Sequence, residues 1–124
     1  MSLVQGHGVT LRYFVLTNEI RQCILEIADF RFDLNGLLFV WNEAKAKRNQ
    51  QDHGVSFEDA AEAFFDPFFR LVDASRNEEA RDAVIGCDAR GRLLYVVHIE
   101  FEEELIRIIS ARKASREEVK SHDS

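Results

Sequence analysis

The sequence is poor in the residues on which several common kinds of site depend. It has two cysteines, Cys23 and Cys87, which stand 64 positions apart and lack the close spacing of a metal site. We interpret them as small core residues in a reducing compartment. No apolar run approaches the roughly 18 residues that a membrane-spanning helix needs, and the N-terminus lacks the basic and apolar segments of a secretory signal. These absences predict a cytoplasmic protein.

Motifs for cofactor, metal and nucleophilic chemistry are absent as well. The four histidines are scattered, without a His-x-x-x-His or Cys-x-x-Cys spacing beside them. The chain has no glycine-rich phosphate loop and no Gly-x-Ser-x-Gly elbow. We therefore expect no metal and no cofactor.

What the chain does contain is typical of one small soluble domain. It has 124 residues, of which 46% are hydrophobic and 31% charged. The net charge of −6 argues against sequence-independent coating of nucleic acid, which neutralised phosphates drive. It leaves room for a local cationic site, because the bases cluster at 45–48 and 107–116.

The first half of the chain carries clear signals for turns and helix ends. Asn35-Gly36 lies between two apolar runs and predicts a hairpin of 30–34 with 37–41. Asn42 is a suitable cap for a helix that ends near Asp52, with Gly54 as its C-cap. Ser56 begins a second helix, which Asp66-Pro67 ends. Before these elements we expect a strand over 10–16 and a helix over 19–28.

The second half alternates strands and short turns. Strands are predicted over 68–72, 81–87, 92–99 and 105–111, and Ser115 with Glu118 has the spacing of a capping box that begins a short helix. The predicted fold class is α+β: an antiparallel sheet of four to five strands, with two consecutive helices on one face and a short C-terminal helix.

The cations, together with one histidine and one glutamate, suit a single reaction class. Cleaving RNA without a metal needs a base for the 2′-hydroxyl, an acid for the leaving oxygen and cations for the charged transition state. Arginine suits the phosphate because its fork donates two parallel hydrogen bonds. Histidine is a common general base or acid, which makes His53 a candidate for either role; its alternative role is to interact with the last carbonyls of its helix.

Arg107 and Arg112 raise a geometric problem, because residues an odd number apart on a strand point to opposite faces. They serve one phosphate only if the strand bulges or ends between them, near Ser110. If the strand runs straight, Arg112 is the one that we keep in the site.

Several short motifs fall in order along residues 39–118 and carry a family resemblance. They include Phe39–Lys45, Asn49, His53–Glu58, Glu79–Arg81, Ile85-Gly86, Val97-His98 and Arg107–Ala114, with Glu118 after them. This part of the chain resembles the BrnT family of type II toxins, which are similar in fold to RelE-type ribonucleases. We accordingly divide the chain into an N-terminal extension, 1–36, and a BrnT-like toxin domain, 37–124.

The resemblance implies the toxin of a toxin–antitoxin system, a metal-independent endoribonuclease that arrests translation. It implies that RNA is the substrate and that a BrnA-like antitoxin of the ribbon-helix-helix class neutralises the toxin. Operator DNA is then contacted only through that antitoxin, and a homodimer of the toxin is compatible with the resemblance. The catalytic candidates that it indicates are Lys45, His53, Glu79, Arg81, Arg107 and Arg112.

Three features depart from the family pattern. Asp52 stands where the family usually has a lysine, the chain is acidic where the family is often basic, and the tail after Glu118 has His122 where the family usually has an aromatic residue. They keep an alternative open: a catalytically weakened, non-enzymatic binding module that acts in an antitoxin-containing DNA-binding repressor complex.

Overall fold

The structure, a computed structural model, describes residues 29–102 and 104–123, which form a six-stranded sheet with two consecutive helices packed on one face. The strand predicted over 10–16 and the helix over 19–28 lie outside these residues. No helix within them is long and apolar enough to cross a membrane. In chain order the elements are β1 Asp29–Leu34, β2 Leu37–Asn42, α1 Glu43–His53, α2 Phe57–Glu62, the 3₁₀ turn η1 Ala63–Phe65, β3 Arg70–Asp73, β4 Asp82–Cys87, β5 Leu93–Phe101, β6 Leu105–Lys113 and α3 Arg116–Asp123.

The sheet corrects the predicted architecture in strand number and in direction. Its order is β1-β2-β6-β5-β4-β3, so within the described residues it has six strands rather than four to five. It is mixed rather than antiparallel, because Leu38–Val40 of β2 pair in parallel with Leu105–Arg107 of β6. The remaining neighbours are antiparallel. The parallel pair joins the N-terminal hairpin to the β3–β6 strands, and no short-range pattern in the sequence encodes it.

The hairpin that Asn35-Gly36 predicts is confirmed. β1 pairs antiparallel with β2 from Asp29 opposite Asn42 to Leu34 opposite Leu37. Asn35 and Gly36 have φ of 51° and 89°, the positive values that this two-residue turn requires. The pairing runs across the predicted boundary between 36 and 37, and that boundary remains a prediction.

The caps of α1 and α2 also match the sequence signals. The Asn42 side chain accepts a hydrogen bond from the Lys45 N–H at 3.0 Å, and Ser56 Oγ accepts one from the Asp59 N–H at 3.0 Å. Gly54 ends α1 in the left-handed region, with φ 71°, and its N–H donates to the Gln50 carbonyl at 2.8 Å. These contacts fix where the two helices begin on the sheet.

The core lies between one face of the sheet and the helices. Gly86 shows how closely η1 approaches β4, since a Cβ there would lie 2.5 Å from the carbonyl oxygen of Ala63. The largest members of this core are fully buried aromatic and branched side chains from β2, β5, α2 and the α1–α2 turn. Among them are Phe39, Trp41, Val55, Phe57, Leu94 and Val96.

Asn49 is the buried residue of α1, a helix that has no large apolar side chain. Its amide donates to the carbonyls of Val55 at 3.0 Å and Ala111 at 2.8 Å, and its side-chain oxygen accepts from the Ala111 N–H at 3.1 Å. β2 pairs with β6 only at residues 105–107, so the backbone of Ala111 lies beyond this pairing. The Asn49 side chain supplies the hydrogen-bond partners that β2 does not provide there. The contact holds β6 in place directly between Ser110 and Arg112.

Arg92 is held inside the protein and is therefore not a free surface cation. Its Nε donates to Asp88 and its Nη2 to Asp59, both at 2.8 Å, while Nη1 donates to the Gly54 carbonyl at 3.2 Å. The guanidinium thus ties the β4–β5 turn to α2 and to the end of α1. We leave Arg92 out of the candidate RNA contacts.

His98 is a buried strand residue packed against an aromatic ring. It is 1% exposed, its ring lies 4.7 Å from the Phe64 ring, and its Nδ1 is 3.2 Å from the Val96 carbonyl. Burial lowers the pKa of His98 below 6.5, although the Val96 carbonyl and the charge of Asp82 act in the opposite direction. His98 is therefore neutral in the folded protein at neutral pH.

We expect the free energy of unfolding to fall as the pH drops below about 6.5, because the unfolded chain then binds a proton that folded His98 resists. The contribution of one such group is at most about 1.4 kcal/mol per pH unit, and it stops growing below the folded pKa. Urea unfolding between pH 8 and 5 measures it. His98→Leu should flatten the profile in this range, and identical slopes for the two proteins would refute the assignment.

Candidate functional site

A polar cavity of about 410 Å³ opens on the sheet face opposite the packed helices. Tyr95 and Val97 of β5 line it, and they alternate with Leu94 and Val96, which belong to the core on the helix side. The loop between β3 and β4 forms its other wall. Its polar lining consists of three arginines, two serines and one tyrosine: Ser75, Arg76, Arg81, Tyr95, Ser110 and Arg112.

A β-bulge in β6 determines which side chains of that strand reach this face. Val97 pairs with Ser110, but the next residue of β5, His98, pairs with Ile108. Ile109 is therefore the extra residue of the bulge. The bulge lies next to Ser110, the position near which Arg107 and Arg112 need one in order to share a face.

The bulge places Arg107 and Arg112 on the same face, although they are five apart in the sequence. Arg112 lies opposite Tyr95 and Arg107 opposite Ile99, and these two β5 residues share a face. These two residues are four positions apart on β5, which is on the order of 13 Å along an extended strand. The two arginines thus share a surface but do not converge on one point.

Arg112 is held by three neighbours. Its guanidinium carbon lies 4.1 Å above the centre of the Tyr95 ring. Nη1 and Nη2 donate to the two carboxylate oxygens of Glu118 at 2.9 and 3.0 Å, and Nη1 also donates to the Lys113 carbonyl at 3.1 Å. The hydrogen bonds to Glu118 raise the pKa of Arg112 despite its partial burial. Arg112 therefore stays charged and oriented.

The predicted capping box at the start of α3 is confirmed, and it fixes Glu118 in turn. The Glu118 N–H donates to Ser115 Oγ at 3.2 Å, and the Ser115 N–H donates to Glu118 Oε1 at 2.7 Å. The hydrogen bond from Arg112, more than the one from Ser115, lowers the pKa of Glu118 against the opposing effect of burial. One carboxylate thus serves both the helix end and the arginine.

Arg81 lines the cavity and has a buried donor without a partner in the described part of the chain. Its Nη2 donates to Glu79 at 2.6 Å. Its Nε, in contrast, is buried and has no hydrogen-bond partner among residues 29–102 and 104–123. Buried donors are nearly always paired, because leaving one unpaired costs about 1–3 kcal/mol. Arg81 therefore carries a donor that is unpaired within these residues, although this nitrogen is itself shielded from solvent.

The structure brings together three of the six residues that the sequence indicates. Arg81 and Arg112 line the cavity, and Glu79 is bonded to Arg81. Arg107 instead directs both nitrogens of its fork to Asp29, with Nη1 at 3.3 Å from Oδ1, and so ties β1 to β6. Lys45 and His53 are exposed on α1 and do not line the cavity.

Three further residues of the cavity were not among the site residues predicted from the sequence. Arg76 lies in an irregular loop, where no periodicity indicates its direction. Tyr95 alternates visibly with the core residues of β5, so its face was predictable, but its position under Arg112 depends on the strand register. Ser110 shares the face of Arg112 by strand alternation, but its place in the cavity depends on how β6 pairs with β5.

The fold and the cavity define a small α+β protein in which arginines from separate elements meet on one face of a mixed sheet. Residues 41–118, more than half of the chain, match the model of the family described as "Ribonuclease toxin, BrnT, of type II toxin-antitoxin system". The chain belongs to this BrnT family.

Among solved structures, the chain is similar to the crystal structure of the Brucella abortus ribonuclease toxin BrnT. The sequence identity is 23%, the match covers 61% of this chain and 94% of that chain, and the TM-score is 0.49. No curated protein matches the chain.

Proposed function

We propose that this chain is the toxin of its type II toxin–antitoxin system and an endoribonuclease that cleaves RNA without a metal and arrests translation. The observation that carries the proposal is the cavity in which Arg81 and Arg112 meet and the buried Nε of Arg81 lacks an acceptor. A phosphate is an anion with several acceptor oxygens and so meets both requirements. Membership in a family of ribonuclease toxins makes RNA the natural source of that phosphate.

In the proposed mechanism the two arginines hold the phosphate that the neighbouring 2′-hydroxyl attacks. Their charge stabilises the dianionic transition state, in which negative charge on the phosphate oxygens increases. Glu79, which is bonded to Arg81, is the carboxylate that we assign as the base for the hydroxyl proton. The P–O5′ bond breaks as the P–O2′ bond forms, and the leaving 5′-oxygen takes a proton from water. We assign Lys45, His53 and Arg107 to contacts with RNA away from the cleaved phosphate, because they do not line the cavity.

The proposed partner is a BrnA-like antitoxin of the ribbon-helix-helix class in the cytoplasm. It would neutralise the toxin most simply by covering the arginine-lined cavity. Operator DNA would be reached only through the antitoxin, and the toxin could enter that complex as a homodimer.

Expression in a bacterium, together with cleavage of labelled RNA by purified protein in EDTA, tests the proposal. We expect growth arrest that co-expression of the antitoxin relieves. In vitro we expect fragments with 2′,3′-cyclic phosphate and 5′-hydroxyl ends, because the 2′-oxygen is the nucleophile. RNA that stays intact at all enzyme concentrations, with no growth defect in cells, would refute the ribonuclease assignment.

A second candidate function follows from the ion pairs on β6. Arg107 and Arg112 are both paired with carboxylates of the same chain, Asp29 and Glu118. This self-neutralisation favours a catalytically weakened module that acts in an antitoxin-containing repressor complex. Such a module would cause no growth defect, yet it would bind the antitoxin and tighten its binding to operator DNA in a gel-shift assay.

A further inference from the structure

The hydrogen bonds of Arg112 divide its guanidinium into a used and an unused fork. Glu118 takes the end-on fork, formed by one hydrogen each of Nη1 and Nη2, and the Lys113 carbonyl takes the other hydrogen of Nη1. Two of the five donors remain, one on Nε and one on Nη2. They point in parallel and form the side-on fork, for which the described part of the chain provides no acceptor.

The surroundings keep the guanidinium in this orientation. The Tyr95 ring supports one of its flat faces, at 4.1 Å. Glu118 cannot turn away freely, because its Oε1 also accepts the Ser115 N–H at 2.7 Å. The side chain of Arg112 is nevertheless 40% exposed and lines the cavity, so a ligand can reach it.

We propose that Glu118 is a positioning residue, which locks Arg112 so that RNA phosphate is bound by the side-on fork while the ion pair stays intact. The identity of the ligand rests on the proposed function. Glu118 places a negative charge close to the phosphate, which weakens binding. It also removes the rotational freedom of Arg112, which favours catalysis, because a preoriented donor needs no rearrangement in the transition state.

These opposing effects give Glu118→Gln a distinctive result. Glutamine keeps the size of the side chain and an oxygen for the Ser115 N–H, but it removes the charge and one acceptor for Arg112. We expect RNA binding that is unchanged or tighter, together with a kcat that falls by about tenfold to 100-fold. Glu117→Gln is the matched control, since it makes the same charge change at the neighbouring, exposed residue of α3; its kcat should not change.

A contrasting role would make Glu118 an autoinhibitory latch that phosphate displaces. In that case Glu118→Gln would raise kcat together with affinity. A rise in kcat, or a kcat equal to that of Glu117→Gln, would overturn the positioning role.

Nuclear magnetic resonance provides a readout that is independent of activity. The probe is a short single-stranded oligodeoxynucleotide, which carries phosphates but no 2′-hydroxyl and is not cleaved. We expect it to shift the Nε–H resonance of Arg112 while the carboxyl carbon resonance of Glu118 stays in place. An unshifted Nε–H, or a carboxyl signal that reports loss of the ion pair, would overturn the proposal.

The two experiments also separate this inference from the proposed function. If the protein cleaves RNA but the oligonucleotide leaves the Nε–H unshifted, the inference is wrong and the function stands. If the protein does not cleave RNA but the Nε–H shifts, the inference holds for a phosphate site and the ribonuclease assignment is wrong.

Discussion

Replacing Arg112 with alanine is expected to reduce kcat/KM for RNA by about 10²–10³-fold, the loss typical of removing one preorganised donor to a transition-state anion. Arg112 is central to the cavity, because a ring, a carboxylate and a backbone carbonyl fix its guanidinium there. The alanine variant leaves Arg81 to hold the phosphate alone. Cleavage of a fluorescent RNA by the wild type and the variant measures the effect.

Two further variants separate this effect from a general loss of positive charge. Arg116→Ala removes an exposed arginine in the first turn of α3 and should reduce kcat/KM less than threefold, since exposed charges have small, screened effects. Arg112→Lys keeps the charge but cannot form a fork, and it should remain close to the alanine variant. If Arg112→Ala cleaves RNA within threefold of the wild type, Arg112 does not hold the reacting phosphate.

Arg112→Ala should also remain folded, which keeps the kinetic comparison valid. The ion pair with Glu118 is partly exposed, with 40% and 20% of the two side chains accessible. Such pairs contribute about 1 kcal/mol or less. A thermal midpoint close to that of the wild type is therefore expected, and a loss of activity can be attributed to the site.

The parts of the fold that depend on neighbours in sequence were predictable. Asn35-Gly36, Asn42, Ser56 and the pair Ser115 and Glu118 each act within a few residues, and the structure confirms the turn and the caps that they indicate. These signals are physical because each satisfies a backbone group or a φ value locally.

The parts that depend on distant pairing were not predictable in the same way. The parallel contact of β2 with β6 joins residues more than 60 positions apart, and it changes the sheet from the predicted antiparallel one to a mixed one. The bulge at Ile109 depends on how β6 meets β5, and it decides which side chains face the cavity. From the sequence we predicted that Arg107 and Arg112 share a face only if β6 bulges or ends between them. The register of β6 on β5 shows that the bulge exists.

The candidate site shows the same division. Arg81 lies in the loop just before β4 and Arg112 near the end of β6, and only the strand order brings them to one cavity. Lys45 and His53 belong to the same family-like motifs but sit on α1, outside the cavity. Residue types and motif spacing therefore indicated the chemistry, whereas the tertiary arrangement decided which residues share it.

Asn49→Asp is expected to lower the free energy of unfolding by on the order of 3 kcal/mol, a large share of the 5–15 kcal/mol that stabilises a typical domain. The substitution replaces the amide group that donates to the carbonyls of Val55 and Ala111 with a carboxylate oxygen. Two buried carbonyls would then face an acceptor, and the buried charge would keep only the Ala111 N–H as a partner, without a countercharge. Urea unfolding at pH 7 measures the loss.

Asn77→Asp is the matched control, because Asn77 is exposed in the β3–β4 loop at φ 49°, a conformation that aspartate also tolerates. It should change the free energy of unfolding by less than about 0.5 kcal/mol. The defect of Asn49→Asp should shrink as the pH falls, because a protonated carboxyl can donate to one of the two carbonyls. Equal stability of the two variants at pH 7 would contradict the role of Asn49.

Because the Asn49 amide holds the backbone of Ala111, beside Arg112, the Asn49→Asp substitution should also reduce RNA cleavage under conditions in which the protein is still folded.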